Sequence, residues 1–357
     1  MYFITCPLYL QPTNAHMPLN EFKLIRRIQQ QRSPESDQVL IGIGDDTAAV
    51  RPTPGMASLV TTDTFVEGLD FDLAFSTWLQ IGWKSMAANI SDIAAMGGQP
   101  RYALTTLCLP DHRTATEIDA LYEGMDGLIE QLDLPISIIG GDLSGITGPT
   151  VISITLMGEA APERMLRRSG ARVGDCICVT GHLGASEAGL RLLHQTRPPA
   201  DHTMLKRYAG TVEKHRTPVP RAQEARLLAD SGYVSAMIDI SDGLSSDLLH
   251  IGRSSHVGLS LDVEALPITA ETHAAARTLH ADPVKLAMQS GEEFELLCTI
   301  EPDQVEPLAA RLADQTGIAL TPIGEVVAES EGFSWYDTSG RHLLIPEGYE
   351  HFKSVGE

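Results

Sequence analysis

Four times along this chain an apolar run stops at an aspartate flanked by glycine, serine or threonine, and that recurrence constrains both the fold and the chemistry. The four stretches are Val39-Leu-Ile-Gly-Ile-Gly44-Asp45-Asp46-Thr47, Leu59-Val-Thr61-Thr62-Asp63-Thr64, Ile136-Ser-Ile-Ile-Gly140-Gly141-Asp142 and Ala236-Met-Ile-Asp239-Ile-Ser241-Asp242-Gly243-Leu-Ser-Ser-Asp247. Each reads as a strand ending in a loop, and singly each is an ordinary junction, since Asp, Gly and Ser suit turns. Four together, with glycines that let backbone approach a ligand, point to a site. In the last stretch Asp242 and the serines can cap the helix that follows, by accepting its first amide hydrogens. Asp239 is not explained by capping. A carboxylate at a buried strand end loses solvation, and with no Lys or Arg nearby in sequence it calls for a hard cation.

Between these stretches helical and strand patterns alternate, which gives an α/β or α+β layer architecture. At 357 residues the chain favours two domains. The clearest helix of the first half covers residues 78–96 and is stopped by Gly97-Gly98. Ser85, Asn89 and Asp92 recur there at spacings of four and three, so they share one face between apolar flanks and read as a buried polar face looking into a site. Residues 135–139 read as a strand. Arg164, Arg167, Arg168 and Arg172 form the main basic cluster, and guanidinium groups suit phosphate. In Gly291-Glu292-Glu293-Phe294-Glu295-Leu296, strand alternation places Glu293 and Glu295 on one face and Glu292 with Phe294 on the other. Trp335, Tyr336, Tyr349 and Phe352 are candidates to line a pocket for a flat heterocycle.

Composition narrows the partners. A formal charge of -21 argues against a nucleic-acid binder, because phosphate backbones need clustered Lys and Arg. No apolar run reaches membrane-spanning length. Five cysteines without a CxxC pair suit a reducing cytoplasm, and Cys176 and Cys178, flanking Ile177, read as packing residues. Residues 1–16 lack the marks of a signal peptide and are expected to be a dispensable, poorly ordered leader, with Met17 a possible start. Phosphoryl transfer fits what remains: it needs metal ions on the polyphosphate, donors to hold it and alignment of acceptor with leaving group. Mg²⁺ takes oxygen ligands and keeps waters. Asp45, Asp63, Asp92, Asp142, Asp239 and Asp242 supply such ligands, and the amides at Gly140 and Gly141 and the arginines near Arg168 suit phosphate. Neither a GxxxxGK[ST] loop nor the HRD and DFG set of protein kinases is present.

From about Leu19 onward the chain resembles the thiamine-monophosphate kinases of the aminoimidazole ribonucleotide synthetase superfamily. The resemblance rests on Glu21-Phe22, Gly44-Asp45-Asp46, Thr62-Asp63-Thr64 with Val66-Glu67-Gly68, residues 84–98 (KSMAANISDIAAMGG), Gly140-Gly141-Asp142, Arg168-Ser169-Gly170, Asp239-Ile-Ser-Asp242-Gly243 and Gly291-Glu-Glu-Phe-Glu-Leu. It implies ATP-dependent phosphorylation of thiamine phosphate to thiamine diphosphate. It further implies Mg²⁺ ligands at Asp45, Asp63, Asp92, Asp239 and Asp242, with Thr61 and Thr62 beside them. ATP contacts would come from Gly141, Asp142, Arg168 and Ser241, and thiamine contacts from Glu292 or Glu293 and Tyr349. The implied fold has two α/β domains divided near Ala160, with a homodimer in which the first domains' sheets build a β-barrel. One departure stands out. Asp70 occupies the position where the family normally carries a His near the substrate phosphate, and a carboxylate there repels phosphate unless a cation bridges them. Two rivals remain. One is a superfamily enzyme with another acceptor, such as a selenophosphate synthetase or hydrogenase-maturation protein, which would normally show a reactive N-terminal or a C-terminal Cys. The other is a non-catalytic nucleotide- or metal-binding homologue.

Overall fold

A computed structural model describes residues 21–31, 36–196 and 202–349. The expected leader, residues 1–16, and Phe352 lie outside them. The first half runs α1 (Glu21–Gln31), β1 (Val39–Ile41), β2 (Ala49–Val50), β3 (Ala57–Val66), α2 (Trp78–Ala95), β4 (Gln99–Leu109), α3 (Ala115–Gln131), β5 (Ser137–Gly145) and β6 (Val151–Ala160). Its four-stranded sheet has the order β3-β6-β4-β5; only the β4–β5 pair is parallel, joined through α3. The sheet is open, with β3 and β5 at its edges.

Two of the expected strand ends are strand interiors. β3 pairs with β6 continuously from Ala57 to Val66, so Asp63 sits well inside it. β5 continues past residue 139 to Gly145, paired with β4, so Gly141 and Asp142 belong to an edge strand rather than a loop. Alternation then sorts the side chains of β3. Leu59 and Phe65 are buried, with Thr61 and Asp63 between them on the same face, whereas Val60, Thr62 and Thr64 are exposed on the other.

Helix α2 is why the two halves form one unit. It begins in a capping box between Thr77 and Gln80, and it is buried almost all round, as a helix with apolar residues on every side must be. On one side it packs on β3, β4, β6 and α3; on the other it meets α6, α7 and β8 of the second half. Contact with α3 is backbone-close: a Cβ on Gly82 would lie 1.7 Å from Leu121 O, and one on Gly124 would lie 1.8 Å from Leu79 O. Met86, Ile90 and Ile93 share one core with Ala225, Leu228, Met237, Phe294 and Leu296.

The second half runs β7 (Cys176–Thr180), α4 (Ala185–Gln195), α5 (His202–Arg207), α6 (Ala209–Arg216), α7 (Ala222–Ser231), β8 (Val234–Asp239), α8 (Leu244–Ser255), β9 (Gly258–Asp262), α9 (Ala270–Leu279), α10 (Pro283–Gln289), β10 (Leu296–Ile300), α11 (Pro302–Thr316), β11 (Leu320–Val327), β12 (Phe333–Asp337) and β13 (Gly340–Leu343). The strands form a seven-stranded sheet, β13-β12-β9-β11-β7-β10-β8, in which β12 and β9 are the parallel pair. Both sheets are therefore mixed, with helices layered on them. Cys178 is buried and pairs in register with Cys298, consistent with packing roles. None of the described helices is long and apolar enough to cross a membrane.

Candidate active site

Strand β3, helix α2 and the β8–α8 junction converge where the two halves meet, and each brings carboxylates. Thr61 Oγ1 donates to Asp92 Oδ2. Ser91 Oγ, one position earlier on α2, donates to Asp239 Oδ2 of β8 at 2.7 Å. Asp63 Oδ2 is buried and has no hydrogen-bond partner among the described residues, a situation that costs free energy unless something positive meets it. Burial pushes Asp63 up to about 7, and the charge of Asp92 adds to the shift. Burial and then Asp92 raise Asp239 to about 7, against the pull of Ser91 and Arg168. Asp92 is raised by burial and by Asp242, and lowered by Thr61 and Arg168. The carboxylates thus crowd one another, with Arg168 as the cation that reaches both Asp92 and Asp239.

Two cavities flank this wall. The larger, about 470 Å³, is lined by Asp63, Asp70, Asp242, His215, Glu292 and Tyr349. The other, about 410 Å³, is lined by Thr61, Asp92, Arg167, Arg168, Ser169 and Asp239. Ser241 also lines the larger one.

At the head of α8 the capping group is Asp247, not Asp242 or the serines. Gly243, the residue before the helix, makes no side-chain cap. The Asp247 carboxylate reaches back from the first turn and accepts the amides of Ser241, Asp242 and Gly243 at 3.1, 3.2 and 3.1 Å. Asp242 itself lines the larger cavity. Burial, with Asp239 and Asp242 nearby, pushes Asp247 up to about 8 despite those amides.

The Gly291–Leu296 run departs from the strand expected there, because Glu292 and Phe294 take φ of 53° and 49° and β10 starts only at Leu296. Positive φ at such side chains costs on the order of 1–3 kcal/mol each and persists only where surroundings hold it. Glu295 and Glu293 do the holding. Burial alone would raise Glu295, but Lys214 and Arg221 hold it down to about 2; Arg221 binds it through two nitrogens at 2.6 and 2.7 Å. Glu293, fully buried, accepts Ser290 Oγ at 2.6 Å and Ser186 N at 3.1 Å. Of these two acids Glu292 lines the larger cavity, while Glu293 is fully buried and does not line it.

Asp70 and Tyr349 both reach that cavity. Asp70 Oδ2 accepts Val66 N at 2.8 Å and so closes the turn after β3, and Tyr349 N donates to Asp242 O at 2.9 Å.

Other expected residues stand apart. Thr62 faces away from Asp63 on the opposite side of β3, donating to Ile154 O at 3.1 Å, so of the adjacent threonines Thr61 alone joins the carboxylates. Asp45 lies on an exposed loop and accepts Asp46 N at 2.8 Å. Asp142 is exposed on edge strand β5, accepting Ser144 Oγ at 3.2 Å. Gly141 has a packing reason: a Cβ there would lie 1.9 Å from Thr105 O. Neither Asp45, Gly141 nor Asp142 lines either cavity. Ser85 and Asn89 are fully buried, but Ser85 Oγ and Asn89 Nδ2 bond to carbonyls of their own helix. Trp335 stacks on His342 at 4.0 Å, and Trp335 and the exposed Tyr336 line neither cavity. Lys84, Ser91, His215 and Asp247 were not legible as site residues. The only hints were a single Lys in an apolar helix and an Asp four residues beyond Gly243.

Comparison with known proteins agrees with this architecture. Residues 44–160 match the AIR synthase related protein N-terminal domain and residues 172–337 the corresponding C-terminal domain. Thiamine-monophosphate kinase of Bacillus subtilis is 34% identical over 336 residues, covering 94% of this chain and 100% of that protein. The crystal structure of thiamine-monophosphate kinase from Stenotrophomonas maltophilia superposes with a TM-score of 0.76 at 36% identity, over 88% of this chain and 96% of that one. AaThiL complexed with AMPPCP and TMP gives 0.73 at 31% identity, over 93% and 97%. Escherichia coli HypE, a hydrogenase maturation protein, shares the fold alone, with a TM-score of 0.69 at 19% identity over 94% of this chain and 99% of that one.

Proposed function

This chain belongs to the thiamine-monophosphate kinases of the AIR synthase related family, and from that premise we propose that it transfers the γ-phosphoryl group of ATP directly, in line, to thiamine phosphate. The observation that carries the reading is the carboxylate wall between two cavities of opposite character. Arg167 and Arg168 on one side suit the anionic nucleotide. Asp70, Glu292 and Tyr349 on the other suit the thiazolium cation of thiamine. An acidic group at residue 70 then faces the cationic part of the acceptor rather than its phosphate.

The crowded, partly unpartnered carboxylates fit a divalent cation. Among the described residues no three His, Cys, Asp or Glu side chains converge tightly enough to chelate a bare ion, and Mg²⁺, which keeps waters and shares phosphate oxygens, does not demand that. Asp63, Asp92, Asp239 and Asp242, with Thr61, are the residues that would hold it; Asp45 and Thr62, which the family pattern adds, stand apart from that cluster. The ion would supply neutralisation of the polyphosphate charge.

What the chain itself contributes is orientation and exclusion of water. Arg168 aligns phosphate oxygens, helped by Ser241 and, from the family pattern, by Gly141 and Asp142. Ser91 and Thr61 fix the directions of Asp239 and Asp92. No protein base is required, because the acceptor phosphate is already an anion near neutral pH. Residues 17–160 form the nucleotide, metal and dimerisation domain and residues 161–357 the second. The homodimer forms through the face of the first sheet that carries Val60, Thr62 and Thr64, closing a β-barrel from two copies, in the cytoplasm. The test is incubation with ATP, Mg²⁺ and thiamine phosphate, with chromatographic separation of the thiamine species. Thiamine diphosphate should appear and EDTA should abolish it; metal-dependent ATP binding without product would mean another acceptor.

A further inference from the structure

Lys84 is the only cation in α2 and is 4% exposed. An ammonium group is withdrawn from water only against a partner. Its Nζ crosses the interface between the halves to meet Glu292 Oε2 at 2.5 Å. His215 Nδ1 stands 3.6 Å from the same oxygen and 3.4 Å from Ser186 Oγ. Burial and the neighbouring Lys84 and Arg216 keep His215 neutral, with a pKa well below the usual value.

The backbone beneath is equally determined, since Glu292 N donates to Ser241 O at 2.8 Å and Phe294 N to Ile240 O at 2.9 Å. Other charges facing Glu292 are acidic: Asp70 from the turn after β3 and Glu187 from α4. Without Lys84 this carboxylate would have like charges around it and a neutral imidazole beside it.

We propose that Lys84 is a positioning residue for the acceptor: from the first domain it holds the Glu292 carboxylate of the second at the cavity wall, and so sets affinity for the cationic ring of thiamine phosphate. It touches neither that ring nor the transferring phosphoryl group. This rests on the placement of thiamine phosphate in the larger cavity.

Steady-state kinetics of the full chain with ATP and Mg²⁺ separate the outcomes. Wild type must first form thiamine diphosphate; if it does not, the functional reading fails before this one is reached. Lys84→Met should raise KM for thiamine phosphate about tenfold or more, as truncating one partner of a buried charge pair does. It should leave kcat and KM for ATP nearly unchanged, and Lys84→Arg should restore most of the loss. Glu292→Gln should raise the same KM, and the double variant should be no worse than Glu292→Gln alone. If Lys84→Met does not fold, the uncharged Lys84→Gln is read in the same way. An unchanged KM for thiamine phosphate, an equal rise in KM for ATP, or strictly additive effects of the two substitutions would overturn the proposal.

Discussion

Replacing Asp247 by Ala removes the carboxylate that takes the three amides of Ser241, Asp242 and Gly243 at 3.1–3.2 Å. At about 1 kcal/mol net for each bond the loss is about 3 kcal/mol. For domains of this size, about 2–4 °C accompany each kcal/mol, so the melting temperature should fall by about 6–12 °C. Asp247→Asn separates the acceptor from the charge. Burial and the neighbouring Asp239 and Asp242 raise the Asp247 pKa, which favours its neutral form, and Asn copies the shape of that form and keeps an acceptor oxygen. That variant should lose less than about 1 kcal/mol. The assay is calorimetric unfolding at pH 7 in EDTA. A fall of less than about 2 °C for Asp247→Ala would refute the amide accounting. Equal damage from Asp247→Asn would show that the charge, rather than the geometry of the acceptor, matters.

Three further outcomes are expected. Asp63 and Asp239 have folded-state pKa values near 7, above the ordinary 3.8, so the folded chain holds protons that the unfolded chain releases. In EDTA, unfolding temperature should therefore decline as pH rises from about 4 to about 7, and Mg²⁺ should reduce the decline; a rise over that window would contradict the assignment. Asp239→Asn should cut turnover about a hundredfold or more, with no fall in unfolding temperature, because the near-isosteric amide removes a charge from a site 2% exposed; near-normal turnover would take Asp239 out of the site. Glu295→Gln, which leaves Lys214 and Arg221 without their shared anion, should destabilise by about 3–5 kcal/mol in denaturant titration, and a change below about 1 kcal/mol would mean the network is not what holds the loop.

Sequence periodicity alone determined much of this protein. The mixed-layer class and the buried helix near residues 78–96 follow from local pattern, because apolar spacing is a property of neighbouring residues; the same pattern put forward Asp63, Asp92, Asp239 and Asp242 but equally Asp45 and Asp142, which line neither cavity. Tertiary structure decided the rest. Thr61 and Thr62 are indistinguishable in sequence, and only the pairing of β3 with β6 and the cover of α2 say which faces inward. Glu292 and Glu293 are separated by a positive φ that long-range anchors at Ser186, Lys214 and Arg221 impose. Ser91 meets Asp239 and Lys84 meets Glu292 across 148 and 208 residues. The identity of a partner so distant is set by how two domains pack, which no local pattern encodes.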